Sequence, residues 1–227
     1  KDGQIVMPFE AVNLKAVDVQ ITKIYENNIM QFLQVNDFDD DYQLQRVGKV
    51  VKQKTLPLTN SMVTDLGSWN RFTLKLNELI NSDPGAIYRV EISFRKKHAM
   101  YPCGEENSEE DNMTTTSNYD DENFWDHFDD YYYASGWGNW EHRDNPCHNA
   151  YYGHHRAVSR NIFTSNMGIV AKRGYDHQLL IWITDMLSTE PLKDVELKIY
   201  DYQQQLISEG KTDKNGFFSV KNAEDAW

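Results

Sequence analysis

The stretch "AIYRVEISF", residues 86–94, alternates between two sets of side chains over its whole length. A period of two suits a strand, whose successive side chains point to opposite faces, and does not suit a helix. "LKAVDVQITKI" at 14–24 has the same rhythm, with Leu14, Ala16, Asp18 and Gln20 on one face and Val17, Val19, Ile21 and Lys23 on the other. "NNIMQFLQV" at 27–35 follows Asn27-Asn28, a pair that tolerates positive backbone angles, so it reads as the return strand of a hairpin. "RVGKVVKQKTLPL" at 46–58 and "NRFTLKLNEL" at 70–79 place β-branched or aromatic residues between turn clusters, and "LNELINSD" at 76–83 has room for one helical turn before the Pro84-Gly85 break. Strands resume in "NIFTSNMGIVAKRG" at 161–174 and "QLLIWITDM" at 178–186. Beyond them "PLKDVELKIYD" runs out, "YQQQLISEGKT" returns, and "DKNG" supplies an asparagine-glycine turn into "FFSV".

So many short strands with almost no helical periodicity predict an all-β chain built from two consecutive antiparallel β-sandwiches. The expected organisation is a first sandwich over 1–102, an insertion or linker over 103–159, and a second sandwich over 160–227. The second is expected to be incomplete at its C-terminal end, because "KNAEDAW" stops on an aromatic residue where another strand would begin. The start, "KDGQIVMPFE", carries no signal-like segment, which fits an excised piece of a longer protein or one whose leader or lipoprotein anchor has been removed.

Composition narrows the partners. The 35 acidic against 23 basic side chains give a net charge of −12, which repels a phosphate backbone and argues against nucleic acid. A mean hydropathy of −0.71 and the lack of an eighteen-residue apolar run exclude a helical membrane span. The insertion is the compositional outlier: "GEENSEEDNMTTTSNYDDENFWDHFDDYYY" is acidic and aperiodic, yet Trp125, Phe128, Tyr131, Trp137 and Trp140 are too many large aromatics to leave in water. They are the candidate interaction surface, within an aromatic cluster spanning 124–140.

Two cysteines flank that stretch, in "YPC" at 101–103 and "NPC" at 145–147. A bridge between Cys103 and Cys147 would close it, remove about 3 to 4 kcal/mol of unfolded-state freedom, and place the chain in an oxidising compartment. Free thiols in a cytosolic protein are the alternative.

The stretch "TEPLKDVELKIYDYQQQLISEGKTDKNGFF", 189–218, resembles the hairpin region of macroglobulin-like domains in the bacterial alpha-2-macroglobulin family. "VMPFEAVNLKAVDVQITKIYENNIMQFLQ" near the start is similar to the preceding domain of such proteins, in particular Bacteroides-type versions. The resemblance implies two macroglobulin-like, immunoglobulin/fibronectin-like sandwiches from a periplasmic or cell-surface protein that traps proteases. In such a protein these domains are non-catalytic framework. Their partners are then the neighbouring domains of the parent chain and, through the whole protein, target proteases. It also makes Cys103-Gly104-Glu105-Glu106 a look-alike of the family's Cys-Gly-Glu-Gln thioester. Glu106 has no side-chain amide to expel ammonia from, so no thioester is expected there.

No motif points to catalysis. The chain has no Gly-x-Ser-x-Gly elbow, no His-Glu-x-x-His and no glycine-rich phosphate loop, so no enzyme and no cofactor are expected. Cys147, His148, His154 and His155, with His142 just before, fit no zinc spacing, and a bridge would withdraw Cys147. The acids at 105–111 and 120–130 hold no glycine among them for a calcium loop, and "DFDDD" at 37–41 reads as a charged turn, so no metal is expected. The rival reading is an extracytoplasmic carbohydrate- or protein-binding module that presents the aromatic cluster 124–140.

Overall fold

The computed structural model describes residues 5–59, 65–103, 125, 140–175 and 177–221. The chain divides into two compact units, Lys1–Thr164 and Ser165–Trp227.

In the first unit six strands appear in chain order: β1 (Val6–Ala11), β2 (Ala16–Ile24), β3 (Gly48–Pro57), β4 (Asn70–Lys75), β5 (Ile87–Ser93) and β6 (Val158–Phe163). They form a four-stranded sheet in the order β3-β2-β5-β6 and a two-stranded sheet β1-β4, antiparallel throughout. Register explains the core. Val19 stands opposite Ile92 and Ile21 opposite Val90, so the apolar set of each strand falls on one face. There it meets Leu74, Phe72, Met7 and Phe9 from the smaller sheet in a single apolar cluster.

The segment 27–35 does not pair as a strand. It forms a 3₁₀ turn, Glu26–Asn28, and a short helix α1 (Ile29–Leu33), followed by α2 (Leu44–Val47). Two facts decide this. Both edges of β2 are already taken by β3 and β5, which leaves no ladder for a further strand. Ile29 and Phe32, and again Leu44 and Val47, sit three residues apart, the spacing of one helical face, and close a small separate core around Ile24 and Ile87.

The seam between units also differs from the expected 160. Residues 158–163 pair with β5 from Ile87↔Phe163 to Ile92↔Val158, so β6 belongs to the first unit and the break follows Thr164. "NIFTSNMGIVAKRG" is therefore two strands in two units rather than one.

The second unit contains β7 (Met167–Arg173), β8 (Leu179–Asp185), β9 (Glu196–Tyr200), β10 (Leu206–Lys211) and β11 (Phe217–Val220). The sheets are β11-β8-β7 and β10-β9, again antiparallel, around Ile181, Ile183, Ile199 and Val220. The "DKNG" turn is built as its residues require: the Asp213 side chain accepts from the amides of Asn215 (2.8 Å) and Phe217 (3.0 Å), and Gly216 takes φ 67°. Those two amide bonds hold the Asp213 carboxyl below its usual range. The strand it launches does not return along β10. β11 pairs with β8, so the turn carries the chain from one sheet to the other.

One polar group sits at the centre of the first unit. Asp18 on β2 is fully buried. Its Oδ2 accepts from Arg95 Nε at 2.7 Å, and its Oδ1 accepts from Arg95 Nη2 at 2.8 Å and from the Thr55 hydroxyl on β3 at 2.6 Å. This two-pronged geometry satisfies a buried charge that would otherwise be prohibitive. His98 lies against it, with Nδ1 3.6 Å from Asp18 Oδ2 and accepting from the Arg95 amide at 3.4 Å. Burial, with Arg95 and Lys97 nearby outweighing part of the pull of Asp18, lowers its pKa from 6.5 to about 4.

Two outcomes are expected. Arg95→Met, which leaves the Asp18 carboxylate buried without its partner, should cost about 3 to 5 kcal/mol in urea unfolding, and Arg95→Lys should recover only part of that because it lacks the fork. Between pH 6.5 and about 4 the unfolded chain binds more protons at His98 than the folded one, so stability should fall as pH is lowered through that window. The slope should be shallower in His98→Gln when the two proteins are unfolded side by side.

Candidate functional site

The insertion is rooted on the first unit at a defined place. After Arg95 a 3₁₀ turn, Lys96–His98, leads to a β-bridge between Ala99 and Leu14, and the Met100 amide donates to Asn13 O at 2.9 Å. Three residues later Cys103 is bonded to Cys147, with Cα atoms 5.4 Å apart across a sequence separation of 44. The sulfur that a thioester would have needed is used in this bridge.

Aromatic packing surrounds the bridge. The Tyr152 hydroxyl donates to Pro146 O at 2.5 Å, one residue from Cys147, and its ring meets Phe94 edge-on at 5.7 Å. Tyr151 sits edge-on to Tyr101 at 6.2 Å, and the Arg156 guanidinium lies 4.3 Å above the Tyr151 ring while reaching Asp144 at 3.1 Å. Burial, reinforced by a hydrogen bond to Tyr101, raises the Tyr151 phenol above its usual range. Burial, with Arg156 close by, lowers His155. Chemically this cluster is a fastening: it locks both ends of the insertion to the sheet.

Of the candidate interaction residues, Trp125 is half-buried and Trp140 opens a 3₁₀ turn, Trp140–His142. Phe128, Tyr131 and Trp137 lie outside the described residues, as do the acids at 105–111 and 120–130. Two of the histidines, His142 and His148, are placed for packing. His142 stacks on His148 at 4.5 Å, and His148 Nδ1 accepts from the Ala150 amide at 3.1 Å. Among the described residues no group of three or more His, Cys, Asp or Glu gathers as metal ligands do.

The sequence reading missed two polar centres, Asp18–Arg95 and a second one at Arg89. The Arg89 side chain, on β5, donates to Asp41 Oδ2 (2.5 Å), the Ser159 hydroxyl (2.7 Å), Asn161 Oδ1 (3.2 Å) and Asp39 O (3.1 Å). The signal was present: arginine inside a strand whose flanks are apolar, with an aspartate-rich turn upstream. A groove of about 540 Å³ also runs between β1 and β6, lined by Met7, Phe9, Val158 and Ile162 with Arg160 at its side. No helix among the described residues is long and apolar enough to cross a membrane.

Residues 164–226 match the model of the bacterial alpha-2-macroglobulin MG3 domain. None of the curated proteins matches the chain. Among solved structures, native alpha-2-macroglobulin from Escherichia coli spanning domains NIE-MG1 superposes with a TM-score of 0.52 at 14% identity, covering 96% of this chain and 79% of that one. The native conformation of the whole E. coli alpha-2-macroglobulin gives 0.51 at 14% identity, covering 97% of this chain and 10% of that one. A longer E. coli piece, MG0-NIE-MG1, gives 0.49 at 14% identity with 96% and 52% covered. This chain thus spans about half of that piece and about a tenth of the whole protein. At such identity the structural likeness shows the fold alone: all-β, with antiparallel macroglobulin-like sandwich units. The second unit is, by the match over 164–226, similar to the MG3 domain of the bacterial alpha-2-macroglobulin family.

Proposed function

We propose that this chain is a non-catalytic pair of macroglobulin-like domains from a large bacterial protein of the alpha-2-macroglobulin type that traps proteases. The observation that carries the reading is the MG3 match over residues 164–226. The two sandwich units support it, since each is organised around an apolar core. In this role the sandwiches hold position, and a cut elsewhere in the parent protein is transmitted as a rearrangement of rigid bodies. The second sandwich is completed by further strands of the parent polypeptide. Met167 and Ile169 support this, because they stand opposite Asp185 and the core residue Ile183 yet are themselves exposed. We further place the protein in the periplasm or at the cell surface, on the support of the Cys103–Cys147 bridge.

With the full-length parent polypeptide, a protease should lose activity toward a large protein substrate while keeping it toward a small chromogenic peptide. Deleting residues 165–227 should abolish that difference. A parent that never discriminates between the two substrates, or an isolated chain that hydrolyses either, ends the proposal. The bridge gives an independent check. Cys103→Ser with Cys147→Ser should lower stability by about 4 kcal/mol, the loop-entropy expectation for a separation of 44. A mass unchanged by reductant in protein recovered from its native compartment would remove the support for an oxidising location.

A further inference from the structure

β2 and β3 are neighbours in register, with Ile24 opposite Gly48, and antiparallel neighbours are ordinarily joined by two to five residues. Here residues 25–47 make the connection. Part of this excursion is explained by packing, since Ile29, Phe32, Leu44 and Val47 cap the end of the core. The rest faces solvent: Met30, Leu33, Val35, Phe38 and Tyr42 are 41 to 61% exposed. A single exposed apolar residue is ordinary, whereas five fall within the thirteen residues 30–42 of this one excursion.

The backbone that carries them is tightly held. Asn36, itself buried, donates from Nδ2 to Phe32 O (2.9 Å) and Tyr42 O (3.0 Å) and accepts from the Tyr42 amide (2.7 Å). Asn161 Nδ2 on β6 donates to Phe38 O (2.6 Å) and Asp40 O (3.0 Å). A surface already fixed in one conformation loses little further entropy when something binds it. A cleft of about 200 Å³ also opens there, floored by Phe32 and Val47 and rimmed by Gln31, Tyr42, Gln43 and Arg46. It has room for one large apolar side chain, the usual anchor of a protein contact.

Charge selects the occupant. Glu26, Asp37, Asp39, Asp40 and Asp41 stand in the same excursion against Arg46; Arg89 pairs with Asp41 and Arg160 with Asp39, and the surplus is still negative. A second copy of this chain, at net charge −12, and anionic lipid would both meet that surplus with like charge. We propose that residues 25–47 form a docking surface for a segment of another protein, which seats one large apolar side chain in the cleft and sets lysine or arginine beside the aspartates.

The test is a display selection of random short peptides on the intact chain, followed by binding measurements on the enriched sequences. A consensus of leucine, methionine or phenylalanine flanked by lysine or arginine is expected. Affinity should fall about tenfold or more in the double variant Val35→Lys with Tyr42→Lys, and should weaken as salt is raised. Both positions are exposed, so circular dichroism and melting should match the parent chain and separate lost binding from lost folding. The proposal is overturned by enrichment without that consensus, by peptides that bind the double variant equally well, or by a chain that dimerises or binds anionic vesicles through this surface.

Discussion

A carboxylate with no access to water holds the first unit in its arrangement. Asp18 draws together three separate parts of the chain: β2, on which it lies, β3 through Thr55, and the segment after β5 through Arg95. Hydrophobic burial is non-directional and would accept several registers, but a guanidinium fork meeting two oxygens accepts one. Once Arg95 is fixed, the turn after it delivers Ala99 to Leu14 and Met100 to Asn13, and thereby sets where Cys103 emerges. The position of the disulfide is thus a consequence of the ion pair eight residues earlier.

How much of this could be read in advance depends on what each residue's neighbours were. The strands at 86–94, 178–186 and 194–220 were legible because their periodicity is local, and so was the Asp213-to-Gly216 turn. The segment 27–35 was not, since its apolar residues fit both a short strand and one face of a helix. What settles the matter is that β2 already has two partners, a fact about the sheet and not about the segment. The boundary at Thr164 was missed for the same reason: in residues 161–174 only the short polar run Thr164-Ser165-Asn166 separates two apolar runs, and it is the pairing of β6 with β5 that assigns them to different units. The turn into β11 was read correctly as a turn, but its partner strand was chosen by the second sheet.

The polar centres were hidden by a different ambiguity. In an alternating strand, Asp18 and Arg89 look like the solvent-facing set, and charged residues in such positions are usually exposed. Their burial follows from additional layers, the Arg95 turn in one case and the 37–41 loop in the other, that cover what would have been the wet face of the sheet. That cover packs the four-stranded sheet on both of its sides at these positions.

The bridge between Cys103 and Cys147 has a topological consequence. β5 ends before the first cysteine and β6 begins after the second, and the two strands lie side by side in one ladder. Hydrolysis of any peptide bond between the sulfurs would therefore yield a nicked molecule of unchanged covalent unity, its two polypeptides still tied by a sulfur link and a run of interstrand hydrogen bonds. The span between the cysteines is free to vary in length and composition without uncoupling the sheet on which it is mounted.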